Sequence, residues 1–271
     1  MATSWGYDRQ PMQPVVTKPP SILYEYPFNE RVRTYLRVEH LFRRLMTLVN
    51  RDDALDHHFA LHTLFETIDV ASRADMKADV LKDLEKQKQL LNSYRGNPAI
   101  SEPVLDQVIA QIELHYSSLS HLIGKTGHTL TENEWLMGIR SRIVIPGGTC
   151  SFDVPTYFDW QHQAAEDRKK MLTEWCSTVK PLADAIAMLL QMLRDSGITQ
   201  RVVAIGGHFQ QTLPQGRTFQ LLRLKMDQSL GLIPEISGNR LMVSVRLVRM
   251  GADGRSHSHV ENSSFELALC S

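Results

Sequence analysis

Apolar residues recur at helical spacing from about Asn29 to Leu122, and the clearest case lies near the middle of that stretch. Ser101 stands as an N-cap before Glu102 and Pro103, and Leu105, Val108, Ile109, Ile112, Tyr116 and Leu119 then line one face. Met76, Val80, Leu84, Leu91 and Tyr94 form a second stripe. The Lys and Asp/Glu residues between them read as a solvated face. At Gly138 the pattern changes: Ile139, Ser141, Ile143 and Ile145 alternate with Arg140, Arg142 and Val144 before Pro146-Gly147-Gly148, which predicts a strand and a turn. Helical spacing resumes after Pro155 and is strongest over Pro181–Arg194, with Gly197 as the expected C-terminal cap. Beyond Thr199 the chain reads as β: 202–205, 218–226, 241–250 and 264–270 are strand candidates separated by turn residues.

The expected fold class is therefore α+β, an N-terminal α-helical domain with a smaller β-strand domain and a chain that crosses between them. The expected division is a flexible leader at 1–21, a helical domain at 22–137 plus 155–198, and a β domain at 138–154 plus 199–271.

Composition narrows the functional classes. Thirty Lys+Arg balance thirty Asp+Glu, so a generally basic coat for nucleic acid is excluded and any electrostatic recognition must come from local segregation. Cys150, Cys176 and Cys270 are widely spaced and form no CxxC pair, which fits a reducing, cytoplasmic compartment. The leader carries Pro11, Pro14, Pro19 and Pro20 and no apolar core of the signal-peptide type, and no apolar run suits a spanning helix. No membrane association is expected.

Catalytic signatures are weak. His57, His58 and His62 include an i,i+4 pair, yet no Glu follows the first ligand as a zinc protease requires, and His257 and His259 sit on what reads as a solvated loop. Gly147-Gly148 and Gly206-Gly207 belong to no phosphate-binding motif and read as turns, and Cys150 reads as a buried thiol. No enzyme activity, metal or cofactor is expected.

The segment Asn29–Val49 is more informative. At about 100° per residue, Arg37, His40 and Arg44 fall within roughly 40° of Arg33, while Tyr35, Val38, Phe42, Leu45 and Val49 lie opposite. A basic ridge thus runs above an apolar underside. Arg140 and Arg142 share a face of the expected strand, and Arg223 with Lys225, and Arg240 with Arg246, repeat that spacing later. From Gln200 onward eight Lys/Arg meet five Asp/Glu, against 22 and 25 before it. Arginine forks suit carboxylates, including those of an acidic peptide.

Several stretches in order, YEYPFNERVRTYLRVEHLFRRL (24–45), IVIPGGTCSFDVP (143–155), LLRL (221–224), PEISG (234–238) and FELALC (265–270), resemble the ZapD family of bacterial cell division proteins. The resemblance spans nearly the whole chain from Ile22. It implies a cytoplasmic homodimer, recruited to the mid-cell division site, that binds the C-terminal tail of FtsZ in a basic pocket and bundles FtsZ filaments. Carried over by position, the basic residues of that pocket are Arg33, Arg37, Arg73, Arg140 and Arg246, with His162. Arg44, Arg142 and Arg223 join them from the ridge and strand readings. The Pro-bearing leader and the loop 251–263 are not explained by the resemblance. Two other function classes stand beside this one: nucleic-acid binding through the basic ridge, and a metal-dependent hydrolase built on the histidine cluster.

Overall fold

A computed structural model describes residues 20–72 and 76–271; most of the leader, and Arg73, lie outside the described residues. The fold is α+β. After β1 (Ser21–Pro27), helices α1 (Glu30–Val49), α2 (Ala54–Ala71), α3 (Met76–Asn92), α4 (Glu102–Ser120), α5 (His128–Thr131), α6 (Glu134–Ile143), α7 (Pro155–His162), α8 (Ala165–Ser177) and α9 (Lys180–Asp195) follow. The chain then turns to strands: β2 (Ile198–Ala204), β3 (His208–Thr212), β4 (Leu221–Asp227), β5 (Ile233–Gly238), β6 (Met242–Met250), β7 (Ser256–Ser258) and β8 (Ser263–Cys270).

Two compact units result. One holds the described residues through Glu25 together with Thr199–Arg217 and Arg223–Ala268; the other holds Tyr26–Ile198, Thr218–Leu222 and Leu269–Ser271. One sheet has the strand order β1-β4-β8-β2, and a second has β3-β6-β5 with β7 also paired to β6. β6 runs antiparallel to β3, β5 and β7, with Val245 opposite both Phe209 and Ile236.

Local chemistry starts the helices where the pattern requires. Asn29 takes an extended conformation, and its side chain accepts a hydrogen bond from the Val32 amide at 2.8 Å. Asp53 and Asn133 do the same for Leu55 and Leu136 at the starts of α2 and α6. Each such cap satisfies a backbone donor that has no partner within the helix. Ser101 is the residue before α4, but its side chain makes no cap bond there.

The helical unit carries two apolar clusters. In one, Val32, Tyr35 and Val38 of α1 pack with Met76, Val80 and Leu84 of α3, Ile112 and Leu119 of α4, and Leu182, Ile186 and Leu190 of α9. In the other, Leu45 and Val49 of α1 join Leu61, Leu64 and Ile68 of α2 and an aromatic group of Tyr157, Trp160 and Trp175. Helix α1 belongs to both. Tyr116 and Tyr94, assigned to the apolar stripes, are exposed, and Tyr94 lies beyond the end of α3. The charges of α3 do more than meet solvent: Arg31 bridges Asp79 and Asp83, and the Tyr35 hydroxyl donates to Asp83 at 2.8 Å.

The strand expected over Ile139–Ile145 is helix α6, and residues 138–154 fall in the helical unit instead of the β domain expected for them. Alternation of isoleucines at this point also fits i, i+3 and i+7 from Leu136 through Ile139 to Ile143, and the Asn133 cap with burial of Leu136 and Ile139 favours the helical period. Gly148 then lets the turn close on the helix end, since a Cβ there would lie 2.6 Å from the Arg142 carbonyl oxygen. The loop 251–263, expected to be solvated, contributes β7 to a sheet edge and buries His259, whose Nε2 lies 2.9 Å from the Ser263 hydroxyl.

Gly206-Gly207 forms the two-residue turn between β2 and β3, with φ of 57° and 76° and an antiparallel bridge between Ile205 and His208. A Cβ on Gly207 would lie 1.8 Å from the His259 carbonyl oxygen. Gly207→Ala should therefore cost about 2 kcal/mol or more, combining left-handed strain with a backbone clash. Gly254→Ala, with a φ of 73° but open space around it, should cost only about 1 kcal/mol. Urea denaturation followed by circular dichroism measures both; equal costs would show that the His259 contact is not a constraint.

Candidate functional site

Helix α1 turns its buried face toward both clusters, so the opposite arc faces outward. Arg33, Arg37 and His40 fall within about 60° of one another, and Leu36 and Leu41 flank them. Together with Pro27 and Val70 these residues line an open groove of about 440 Å³ within the helical unit. Its surface is largely apolar, and among the described residues its charged lining groups are both guanidinium, Arg33 and Arg37. Arg37 and His40 are exposed, Arg33 is half-buried, and Leu36 and Val70 are backed by the first apolar cluster.

Most of the other candidates have intramolecular partners. Arg44 is on the ridge, but its guanidinium donates to the Thr63 hydroxyl and pairs with Glu66, both on α2. Arg140 pairs with Asp69, the neighbour of Val70 in that helix. Because α6 is a helix, Arg140 and Arg142 do not share a face: at two residues' separation they lie about 200° apart, and Arg142 is exposed. Arg33 reaches Glu30 one turn back, at 3.0 Å. His162 is exposed at the end of α7, with Nδ1 2.8 Å from the Phe158 carbonyl and its ring against that phenyl. In the β unit Arg223 pairs with Glu25 at 3.2 Å and Arg246 with Glu235 at 2.5 Å, so these strand cations, although off the core, face carboxylates of neighbouring strands. Arg240 lies before β6 and not within it.

The family model described as ZapD, a cell division protein, matches residues 36–246. The chain belongs to the ZapD family. Proteins named "Cell division protein ZapD" from Ralstonia pickettii and Cupriavidus taiwanensis are each 48% identical to it over 250 residues, which is 92% of this chain and 99% of theirs. The one from Ralstonia nicotianae is 47% identical over the same shares. Membership of the ZapD family places the protein in cell division. Among the described residues no single helix is long and apolar enough to cross a membrane.

Sequence reasoning found the ridge of this ZapD-family chain but missed the apolar half of the groove. Leu36 and Leu41 carried a signal, since they border the ridge at helical spacing; Pro27 and Val70 come from other elements and carried none. Cys150, expected buried, is exposed, whereas Cys176 is buried and its thiol is pushed up to about 12 by that burial.

The histidine cluster has a structural occupation. His57 is fully buried, with Nε2 2.7 Å from the Arg51 carbonyl oxygen and Nδ1 accepting from Arg168 Nε at 2.9 Å. Arg168, also buried, further donates to the backbone carbonyls of Asp52, Gln161 and Gln163, tying the α1–α2 turn to the end of α7. His58 Nδ1 meets the Tyr157 hydroxyl at 2.7 Å, and His62 lies 3.6 Å from Glu66. Burial holds both His57 and His58 below the ordinary histidine range, and Arg168 adds to the effect at His57.

A depressed folded-state pKa means the unfolded chain takes up the proton first. The stability contribution is full above about pH 6.5 and is lost as the pH falls below it. The urea midpoint should therefore drop between about pH 7 and pH 5. His57→Gln, which keeps a donor and an acceptor but cannot titrate, should flatten part of that decline; an unchanged acid limb would remove His57 from the account.

Proposed function

We propose that the protein is a non-enzymatic cytoplasmic division factor that binds the C-terminal tail of FtsZ in the α1 groove. As a homodimer it would present two such grooves, cross-link and bundle FtsZ filaments at mid-cell, and so stabilise the Z-ring. The observation that carries this reading is the groove itself, where Arg33, Arg37 and His40 stand beside an apolar wall. A short acidic peptide meets both halves: its carboxylates face guanidinium groups and its apolar side chains leave water.

Arg37 is the best-placed single residue. It is exposed on the ridge, and among the described residues no carboxylate lies within ion-pair distance of it. Arg33 and Arg44, by contrast, already hold Glu30 and Glu66, which an incoming acidic chain must displace. Arg140 is half-buried against Asp69 and serves more to position α2 than to meet a ligand. Family resemblance also supports roles for Arg73, His162 and Arg246 in tail binding.

Two grooves are needed to join two filaments, because a monomer with one groove only decorates. Light scattering at micromolar concentration should return a dimeric mass, and a monomeric mass with bundling retained would overturn the dimer. Arg37→Glu should weaken binding of the FtsZ tail about tenfold or more, roughly 1.4 kcal/mol, by setting a like charge before an acidic ligand. Bundling should fall with it, while the thermal midpoint stays put, since an exposed helix position with Glu shifts stability by about 0.5 kcal/mol or less. Lys86→Glu, exposed on α3, is the matched control and should change neither. Undiminished binding to FtsZ that lacks its tail would overturn the proposed mode.

A further inference from the structure

We propose that the groove is a two-part reader: Pro27, Leu36, Leu41 and Val70 form a socket for one large aliphatic side chain, and the cations beside it hold the acidic residues that flank that side chain in the ligand. This rests on the tail-binding reading above and deepens it, since it names the ligand class as an acidic segment with an aliphatic anchor and excludes a purely acidic one.

Three observations carry it. The groove's surface is largely apolar, which a site for carboxylates alone would not need. Leu36 and Val70 are packed against the first core cluster, so two sides of the socket are fixed before a ligand arrives. The volume of about 440 Å³ falls within the usual range of ligand clefts, about 300–1,000 Å³. Charge complementarity then selects the occupant. Among the described residues the charged groups lining the groove are Arg33 and Arg37, with the His40 imidazole beside them, so an apolar segment flanked by basic residues is repelled and one flanked by acidic residues is attracted.

Energetics require both halves. Exposed ion pairs contribute little individually because water and salt screen them. An aliphatic side chain seated in the socket displaces water beside the guanidinium groups, and the same pairs strengthen as the local dielectric falls. The two halves are therefore coupled, and removing the anchor should weaken the charge contacts too.

The test uses the full chain and fluorescence anisotropy with a labelled synthetic acidic peptide carrying one central leucine, beside analogues with serine in place of that leucine or amides in place of the acids. Salt of about 0.1 M and about 1 M separates the halves, because the screening length falls from about 10 Å to about 3 Å. With the parent protein, the leucine peptide should keep measurable affinity at high salt, and the serine analogue should bind about tenfold more weakly there and lose more than about tenfold at low salt, where the charge contacts it weakens are unscreened. Leu41→Ser should reproduce the tenfold loss, Leu41→Met should restore it, and the serine analogue should lose little further on Leu41→Ser. Circular dichroism of the Leu41 variants checks that the helix is intact. If Leu41→Ser binds the leucine peptide like the parent while Arg37→Gln loses it, the socket is wrong and the charge reading stands. If the parent binds neither the peptide nor the FtsZ tail, the tail-binding reading falls and the socket with it.

Discussion

The double anchorage of α1 is the constraint on which the rest of the helical unit depends. One end of its apolar face, Val32, Tyr35 and Val38, is buried with α3, α4 and α9, and the other end, Leu45 and Val49, is buried with α2 and the aromatic group. A helix held in two clusters can neither roll nor slide without opening one of them, because cores are close-packed and tolerate little displacement. The half-buried bridge from Arg194 to Glu39, with both distances at 2.7 Å, adds a directional stop between the clusters. The outward arc is thereby fixed as firmly as the inward one, although among the described residues nothing covers Arg37 or His40.

Burial and charge are thus two readings of a single helical period. Where Tyr35 must point inward to reach Asp83, Arg37 must point outward, and where Val38 is buried, His40 is exposed. The outward side costs little of its own: Arg33, Leu36, Arg37 and Leu41 are good helix formers on the face that packing leaves free. Helix α2 completes the arrangement by offering Val70 to the groove while Glu66 and Asp69 hold Arg44 and Arg140.

Legibility in the sequence followed the length of each pattern. The 20-residue helix α1, with its two clear faces, was readable to within a residue, as were the late strands β6 and β8 with their period-two burial. Helix α6 was not, because ten residues with isoleucine at 139 and 143 satisfy both periods, and only the tertiary contacts of Leu136 and Ile139 choose between them. The site divides likewise. Cations on one helix could be collected from spacing, but Val70 and Pro27 come to the groove from separate elements, and the carboxylates that occupy Arg44, Arg140, Arg223 and Arg246 lie between 11 and 198 residues away in the chain.

The pairing of Arg44 and Arg140 with α2 also sets a ruler. With those two occupied, the outward arc left to a ligand runs from Arg33, paired only with Glu30 one turn back, to His40, seven residues of helix or about 10 Å. An extended peptide covers that distance with about three residues. A phosphodiester duplex, whose charges recur about every 1.7 Å along its axis, needs a far longer cationic track to release its counterions. Carboxylates that hold part of the ridge to α2 therefore act as a fence, trimming a helix-long stripe to the length of a short linear motif.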